Sequence, residues 1–176
     1  MGLLLAADRV LTPEELLEPG WVEVDGTTIK AIGSGRPRRE PDWSTTTLVP
    51  GLVDTHVHGG GGASFSTTSA DEAALAALVH QRAGTTSIVA SLVSAPVSVL
   101  ADQLACLADL CDDGLLAGLH LEGPWLSPTH RGAHDIRHLA RGNAQAVERL
   151  AEAARGHLRM ATVAPEIPGG FEVIKA

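Results

Sequence analysis

Cysteine is scarce in this sequence: its 176 residues include only two, Cys106 and Cys111. The two lie five positions apart in a segment that we predict to be helical. This spacing suits neither a disulfide nor a Cys-X-X-Cys metal pair. We therefore expect two reduced thiols and a cytoplasmic location.

Long apolar runs are also missing. No run approaches the ~20 residues that a membrane-spanning helix needs. The N-terminus, Met1–Asp8, has no basic region and reaches an acidic residue too early for a signal peptide. The sequence therefore predicts a protein that makes no membrane contact.

Positive charge is in short supply as well. There are 13 Lys and Arg residues against 21 Asp and Glu, which gives a formal net charge of −8 at pH 7. Nucleic acid would be repelled, and no basic stripe offsets this charge. The short basic cluster at residues 36–39 is interrupted by Pro37, and we interpret it as a solvated loop. We expect no nucleic-acid partner.

Turn-forming residues divide the N-terminal part of the chain into short strands. Leu3–Ala7, Trp21–Val24 and Thr28–Ile32 are predicted to form an antiparallel β-meander. The Asp25-Gly26 dipeptide predicts a hairpin with a type I′ turn. A polar connection at residues 36–44 follows, and we place a boundary near Thr45.

Buried strands alternate with helices from residue 47 onward. Such alternation predicts parallel strands joined by right-handed crossovers. The predicted strands are Leu48–Val57, Thr85–Ser91, Leu115–Leu121 and Leu158–Ala164. The predicted helices are Ala70–Ala83, Pro96–Cys111 and Ala144–Ala154, with a further helix starting in residues 171–176.

The first of these strands ends in a His-X-His pair, His56 and His58. Side chains at this spacing in a strand point to the same face, so both imidazoles can bind one ion. Such a pair alone is more often a surface or core feature. The Pro50-Gly51 entry, the apolar strand and the glycine run at residues 59–62 favour a metal site. Glycine allows the backbone to approach a ligand closely, which suits a loop closing over a small site.

A carboxylate arrives at the tip of the third strand. His120 and Glu122 share a face there, and the C-terminal ends of strands in a parallel barrel open on one side. We therefore expect Glu122 to meet His56 and His58. Two imidazoles and one carboxylate suit a zinc-like ion with an open position for water. Such an ion lowers the pKa of water toward neutrality, which indicates hydrolysis.

A general acid or base is less evident in the sequence. Glu166 follows the fourth predicted strand, but we interpret it as a capping or surface carboxylate. His80 lies within the first predicted helix, where a surface or packing role is favoured over metal binding.

Several segments between residues 49 and 166 resemble a known family. They are Pro50–Gly62, Ala83–Thr86, Gly118–Ser127, Arg131–His134 and Val163–Glu166. In these segments the chain resembles the N-acetylglucosamine-6-phosphate deacetylases of the amidohydrolase superfamily. The His-Leu-Glu-Gly-Pro-Trp segment and the Arg-Gly-Ala-His segment are the more specific parts of the resemblance.

The resemblance implies an α/β fold and a reaction. Residues 47–176 would form the first half of a metal-dependent (β/α)8 barrel, and residues 1–46 a small β-sandwich segment before it. Both would be incomplete, because a full barrel takes ~250 residues. The implied reaction removes acetate from N-acetylglucosamine 6-phosphate in amino-sugar catabolism or cell-wall recycling. The catalytic residue is expected beyond Ala176, and the chain alone is expected to be inactive.

The resemblance also implies individual roles. Glu122 matches the principal metal-binding carboxylate, and His56 and His58 match positions that bind a further metal in some members. Ala133 and His134 match a loop that contacts the sugar. His120 is favoured as a residue that orients the strand tip. One or two divalent ions, with zinc favoured, and a homodimer that completes a phosphate site are implied.

Two alternatives stay open at this point. Another amidohydrolase, such as a cyclic-amide hydrolase or a deaminase, would share only the His-X-His pair. The segment His120–Trp125 argues against it. A non-catalytic half-barrel that binds a partner or a metal would be a stable monomer without metal-dependent activity.

Overall fold

The structure is a computed structural model that describes residues 2–176. The chain divides into two compact units, one that ends at Gly51 and one that comprises Leu52–Ala176. The division lies after residue 48, because the strand Trp43–Leu48 pairs with the first strand of the chain and therefore belongs to the first unit. The domain limits expected from the sequence, 1–46 and 47–176, stay a prediction.

The first unit is a five-stranded sheet. Strand β1 pairs antiparallel with β2 and β3, β3 pairs antiparallel with β4, and β5 joins β1 in parallel. The predicted antiparallel meander is therefore confirmed, with β2 and β5 added to it. The strands are β1 (Leu3–Leu11), β2 (Leu16–Leu17), β3 (Gly20–Asp25), β4 (Thr28–Ser34) and β5 (Trp43–Leu48).

The predicted hairpin between β3 and β4 is present, but its turn differs. Asp25 pairs with Thr28, so Gly26 and Thr27 form a two-residue loop. Gly26 has a φ of 58°, and Arg155 is the single non-glycine residue with positive φ in the part of the chain that the structure describes. A type I′ turn needs positive φ at both central residues. The predicted turn type is therefore wrong.

The predicted strand Leu48–Val57 is wrong as a single element. Strand β5 ends at Leu48, and strand β6 of the second unit occupies Leu52–Val57. Pro50 lies between them and has no N–H to donate to a ladder. The polar connection is also shorter than predicted, because β5 already begins at Trp43. The threonine run at residues 45–47 has the β-branched character that favours a strand.

The second unit is a parallel sheet with helical crossovers. Its strand order is β11-β10-β9-β6, and a small hairpin, β7–β8, follows β6. The remaining strands are β6 (Leu52–Val57), β7 (Gly59–Gly60), β8 (Ala63–Ser64), β9 (Thr85–Val93), β10 (Gly118–Glu122) and β11 (Leu158–Thr162). The helices are α1 (Ala70–Arg82), α2 (Val97–Asp112), α3 (Ala144–Ala153) and α4 (Gly170–Lys175), with a short 3₁₀ turn at Ile136–His138. The predicted alternation of parallel strands and helices is confirmed.

Strand β10 begins later than predicted. The N–H groups of Leu115 and Leu116 both donate to the carbonyl of Leu110, at 2.9 and 3.1 Å. These bonds satisfy a carbonyl at the end of α2. The predicted strand Leu115–Leu121 is therefore wrong at its start, because its first residues close the preceding helix.

Helix limits follow from local chemistry. Ser69 caps α1, because its side chain accepts a hydrogen bond from the N–H of Glu72. Helix α2 buries the regularly spaced Leu100, Leu104 and Leu107 in the core of this unit. Among residues 2–176, no helix combines the length and the apolarity that crossing a membrane would require.

Replacing Leu104 by Ala tests this core. Leu104 is fully buried, whereas Leu75 on α1 is 50% exposed. We expect Leu104→Ala to lower the free energy of unfolding by about 2–5 kcal/mol, because it leaves a cavity. The control Leu75→Ala should change it by less than about 1 kcal/mol. Urea denaturation measures both, and equal effects would contradict this assignment of the core.

The thiols provide a second test. Both cysteines are free. Burial first, and then the charge of Asp112, raises the pKa of Cys111 to about 11. The thiolate is the reactive form, so at pH 8 we expect slow alkylation of Cys111 by iodoacetamide in the native protein and fast alkylation after denaturation. Mass spectrometry follows the reaction, and rapid native labelling at pH 8 would contradict the burial.

Candidate metal centre

Two strand ends carry the candidate metal centre. His56 lies near the end of β6, His58 follows that strand, and Glu122 is the last residue of β10. Because the strands are parallel, their C-terminal ends lie along the same edge of the sheet. One ligand atom from each residue lies within 4.8 Å of the other two. The predicted meeting of the three side chains is present, and metal binding by them stays a prediction.

The three atoms form a compact triangle. Nε2 of His58 lies 2.8 Å from Oε2 of Glu122, and Nε2 of His56 lies 3.2 Å from the same oxygen. The two Nε2 atoms are 3.2 Å apart. Ligand atoms about 2.0–2.1 Å from a tetrahedral zinc ion are separated by about 3.3 Å. The triangle therefore has nearly the size of one face of a zinc coordination tetrahedron.

The position of the proton on His58 also favours the binding of a cation. Its Nδ1 lies 3.0 Å from the backbone carbonyl oxygen of Ser91. A carbonyl oxygen only accepts, so Nδ1 carries the proton and the neutral ring has a lone pair at Nε2. That lone pair faces the carboxylate of Glu122. Nε2 of His58 and Oε2 of Glu122 need a proton or a cation between them. A divalent ion at this place would also be within reach of Nε2 of His56.

Glu122 has the charge that a metal ligand needs. Burial alone would raise the pKa of its carboxyl group, because the side chain is only 23% exposed. The hydrogen bond from His56, and the attraction of His56, His134 and His58 in their protonated forms, outweigh burial and lower the pKa below its usual value. The carboxylate is therefore an anion at neutral pH.

His120 is fully buried beneath the triangle. Its Nδ1 lies 2.9 Å from Oγ of Ser91, and its Nε2 lies 2.9 Å from Oγ1 of Thr162. Burial first, and then the neighbouring His56, lowers the pKa of His120 to about 4, so the ring is neutral. Its edge-to-face contact with the ring of His56, at 4.8 Å between centroids, supports a positioning role.

His134 approaches the same carboxylate as a hydrogen-bond donor. Its Nε2 lies 3.4 Å from Oε2 of Glu122. Its Nδ1 accepts a hydrogen bond from the backbone N–H of Ser94 at 3.2 Å, so the proton of the neutral ring lies on Nε2. This is the reverse of the tautomer of His58. His134 is therefore suited to donate into the site, whereas His58 is suited to bind a cation.

Sequence reasoning missed Ser94. Its Oγ lies 2.9 Å from Nδ1 of His134 and 3.3 Å from the backbone carbonyl oxygen of Glu122, so its one hydroxyl proton can be donated to either acceptor. Ser94 and His134 are 40 positions apart, and no local pattern in the sequence links them. The pairing arises because the chain after β9 and the loop after β10 meet above the same sheet edge.

A cavity of about 540 Å³ opens beside the triangle. It is bordered by His58 and Glu122 on one side and by the predicted sugar-contacting residues Ala133 and His134 on the other. Its size lies within the range of small-molecule sites. Glu166 is exposed and does not border it.

The glycine run after His58 packs against helix α1. A Cβ atom on Gly60 would lie 2.7 Å from Nε2 of His80, and one on Gly61 would lie 2.6 Å from Cγ2 of Val79. His80 is half-buried, and its Nε2 lies 2.9 Å from the carbonyl oxygen of Gly59. The glycines therefore allow the backbone to lie close to helix α1, whereas the sequence analysis expected a close approach to a ligand.

Residues 47–175 match the sequence profile of the amidohydrolase family. The chain belongs to the amidohydrolase family. Its fold is similar to that of N-acetyl-D-glucosamine-6-phosphate deacetylase from Mycobacterium smegmatis, with a TM-score of 0.91 and 44% identity over 98% of this chain and 50% of that one. A structure of a variant of that enzyme, at 42% identity, contains N-acetyl-D-glucosamine-6-phosphate. These comparisons confirm the predicted fold class.

Curated relatives are also named as deacetylases of amino-sugar phosphates. An N-acetylgalactosamine-6-phosphate deacetylase of Escherichia coli O157:H7 is 29% identical over 99% of this chain and 47% of its own length. An N-acetylglucosamine-6-phosphate deacetylase of Homo sapiens is 37% identical over 73% of this chain and 34% of its own length. The chain spans about half the length of the curated relatives that it matches over nearly its full length. The resemblance found in the sequence motifs is confirmed.

Replacing Glu122 by Gln tests the metal centre. The variant keeps the shape of the side chain but removes its negative charge. Loss of a residue that only hydrogen-bonds to a metal ligand typically costs about 10–100-fold in affinity, and we expect zinc affinity to fall by more than this. Glu166→Gln is the matched control, because Glu166 is exposed and outside the cavity. Zinc content after dialysis, measured by mass spectrometry, distinguishes them. Equal zinc retention in both variants would exclude Glu122 as a ligand.

Proposed function

We propose that this chain carries metal-binding and sugar-contacting parts of a deacetylase active site. The proposed reaction is hydrolysis of the acetamide of N-acetylglucosamine 6-phosphate to glucosamine 6-phosphate and acetate. The observation that carries it is the convergence of His56, His58 and Glu122 beside a cavity that His134 borders. The names of the relatives support the substrate class.

The donor set supports a divalent ion, and we propose zinc. Nitrogen and carboxylate ligands in a near-tetrahedral arrangement are typical of zinc sites. When bound, such an ion supplies Lewis acidity toward water and toward a carbonyl oxygen. Glu122 contributes the negative charge, and His58 and His56 contribute neutral nitrogen donors. Whether one or two ions bind stays a prediction.

The chain's own residues fit amide hydrolysis. The Nε2–H of His134 faces Glu122 and borders the cavity, where it can donate to a carbonyl oxygen that gains negative charge during attack. Ser94 fixes the tautomer that makes this donation possible. Arg131 donates to the backbone carbonyl of His134 at 2.6 Å and so holds the loop in place. Ala133, next to His134, is the proposed backbone contact to the sugar.

The sugar phosphate is proposed as the ligand of the 540 Å³ cavity. The N-acetylglucosamine form is favoured because the structure of the 42% identical relative contains that compound. A homodimer and a cytoplasmic location stay expectations, and the two free thiols support the latter.

Acetate release from N-acetylglucosamine 6-phosphate tests the proposal. It should be measured for the 176-residue chain and for the same chain joined to the complementary part of the Mycobacterium smegmatis enzyme. We expect zinc-dependent acetate release from the joined protein. In that protein His134→Phe should lower kcat by about 10²–10³-fold, because it removes one donor to the developing negative charge.

The control substitution in this experiment is His130→Phe. His130 is exposed and borders the outer part of the cavity without contacting Glu122. Loss of acetate release with His130→Phe but not with His134→Phe would contradict the assigned role. Absence of acetate release from a folded, zinc-loaded joined protein would contradict the proposed function.

A further inference from the structure

Helix α1 binds the hairpin that follows the candidate metal ligand His58. This hairpin consists of residues 59–64, which include β7 and β8. Two polar side chains of α1, His80 near its C-terminal end and Glu72 in its first turn, bond to the segment between His58 and the helix. The inference drawn from these contacts rests on the metal centre described under the proposed function.

His80 makes the contact nearest to the metal centre. Its Nε2–H donates to the carbonyl oxygen of Gly59, the residue directly after His58, at 2.9 Å. The ring lies so close to Gly60 that a side chain there would collide with it. Val79, the preceding residue, fills the space over Gly61 by apolar contact alone. This end of the hairpin is thus bound to α1 by one directed hydrogen bond and by neighbouring packing.

Glu72 holds the other end of the hairpin. Its carboxylate accepts a hydrogen bond from the N–H of Ser64 at 3.0 Å and another from the hydroxyl of Thr67 at 2.7 Å. Ser69 and Glu72 have the spacing of a capping box, in which Glu72 would bond back to the N–H of Ser69. In this structure the N–H of Ser69 instead donates to Thr67, which leaves Glu72 to bind the hairpin.

The backbone of His58 is continuous with this bound hairpin. Its carbonyl oxygen accepts a hydrogen bond from the N–H of Phe65 at 2.9 Å, and Phe65 is fully buried. On the ring side, Nδ1 of His58 donates to the carbonyl of Ser91. The ring direction is therefore set by β9, whereas the position of the main chain depends on the hairpin and on α1.

We propose that His80 is a positioning residue of the metal centre, because its hydrogen bond to Gly59 holds the main chain from which His58 reaches the ion. Loss of this bond frees the peptide next to His58 and changes the geometry of the imidazole donor. His80 itself does not touch the ion, since its Nε2 is occupied by Gly59. A glutamine at this position can place an amide N–H near the same carbonyl.

Cobalt(II) titration of the protein, followed by its visible absorption spectrum, tests the proposal. The spectrum reports the coordination geometry, which a change in overall stability alone does not alter. We expect His80→Ala to weaken cobalt binding by about 10–100-fold and to change the spectrum. His80→Gln should restore most of the affinity and the original spectrum. Val79→Ala is the matched control, and it should lower the unfolding temperature without changing the spectrum.

The outcomes separate this inference from the metal centre itself. Wild-type cobalt binding that Glu122→Gln abolishes establishes the centre independently of His80. If that holds and His80→Ala keeps the affinity and spectrum of the wild type, the positioning role is wrong. If Val79→Ala alters the spectrum as much as His80→Ala does, packing positions the hairpin and the proposal fails. If wild-type protein binds no cobalt through Glu122, both the centre and the inference are overturned.

Discussion

Two imidazole nitrogens and one carboxylate oxygen converge at one point of the second unit, and the site depends on this convergence. The carboxylate of Glu122 faces the lone pair of His58 at 2.8 Å, with His56 at 3.2 Å from the same oxygen. Acceptors this close repel one another unless a proton or a cation lies between them. The fold therefore holds together groups whose contact becomes favourable once a proton or a cation lies between them.

The parallel sheet accomplishes this with neighbouring strands. Ser91 in β9 accepts from His58 through its carbonyl and bonds to His120 through its hydroxyl. Thr162 at the end of β11 bonds to the other nitrogen of His120. Hydrogen bonds between side chains thus cross three adjacent strands directly beneath the triangle, and they leave the imidazole of His120 no free nitrogen. The carbonyl of Ser91 places the proton of His58 on Nδ1, whereas the N–H of Ser94 places that of His134 on Nε2.

The sequence predicted the features that depend on periodicity and on parallel topology. Alternating strands and helices implied that strand ends share one edge, and this was sufficient to bring Glu122 to the two histidines. Features decided by contacts between distant residues were not predictable. Nothing local to His134 indicates that Ser94 sets its tautomer, and nothing in the glycine run shows that α1 lies against it. The single strand predicted at Leu48–Val57 was wrong for a local reason. Pro50 interrupts a run whose β propensity continues on both sides.

The proposed metal centre requires that His56, His58 and Glu122 together hold one divalent ion. Anomalous X-ray diffraction at the zinc absorption edge, on crystals of the zinc-loaded protein, tests it most directly. We expect an anomalous peak enclosed by Nε2 of His56, Nε2 of His58 and Oε2 of Glu122. A fully loaded protein whose zinc peak lies away from Glu122, with the three side chains still in contact with one another, would contradict it.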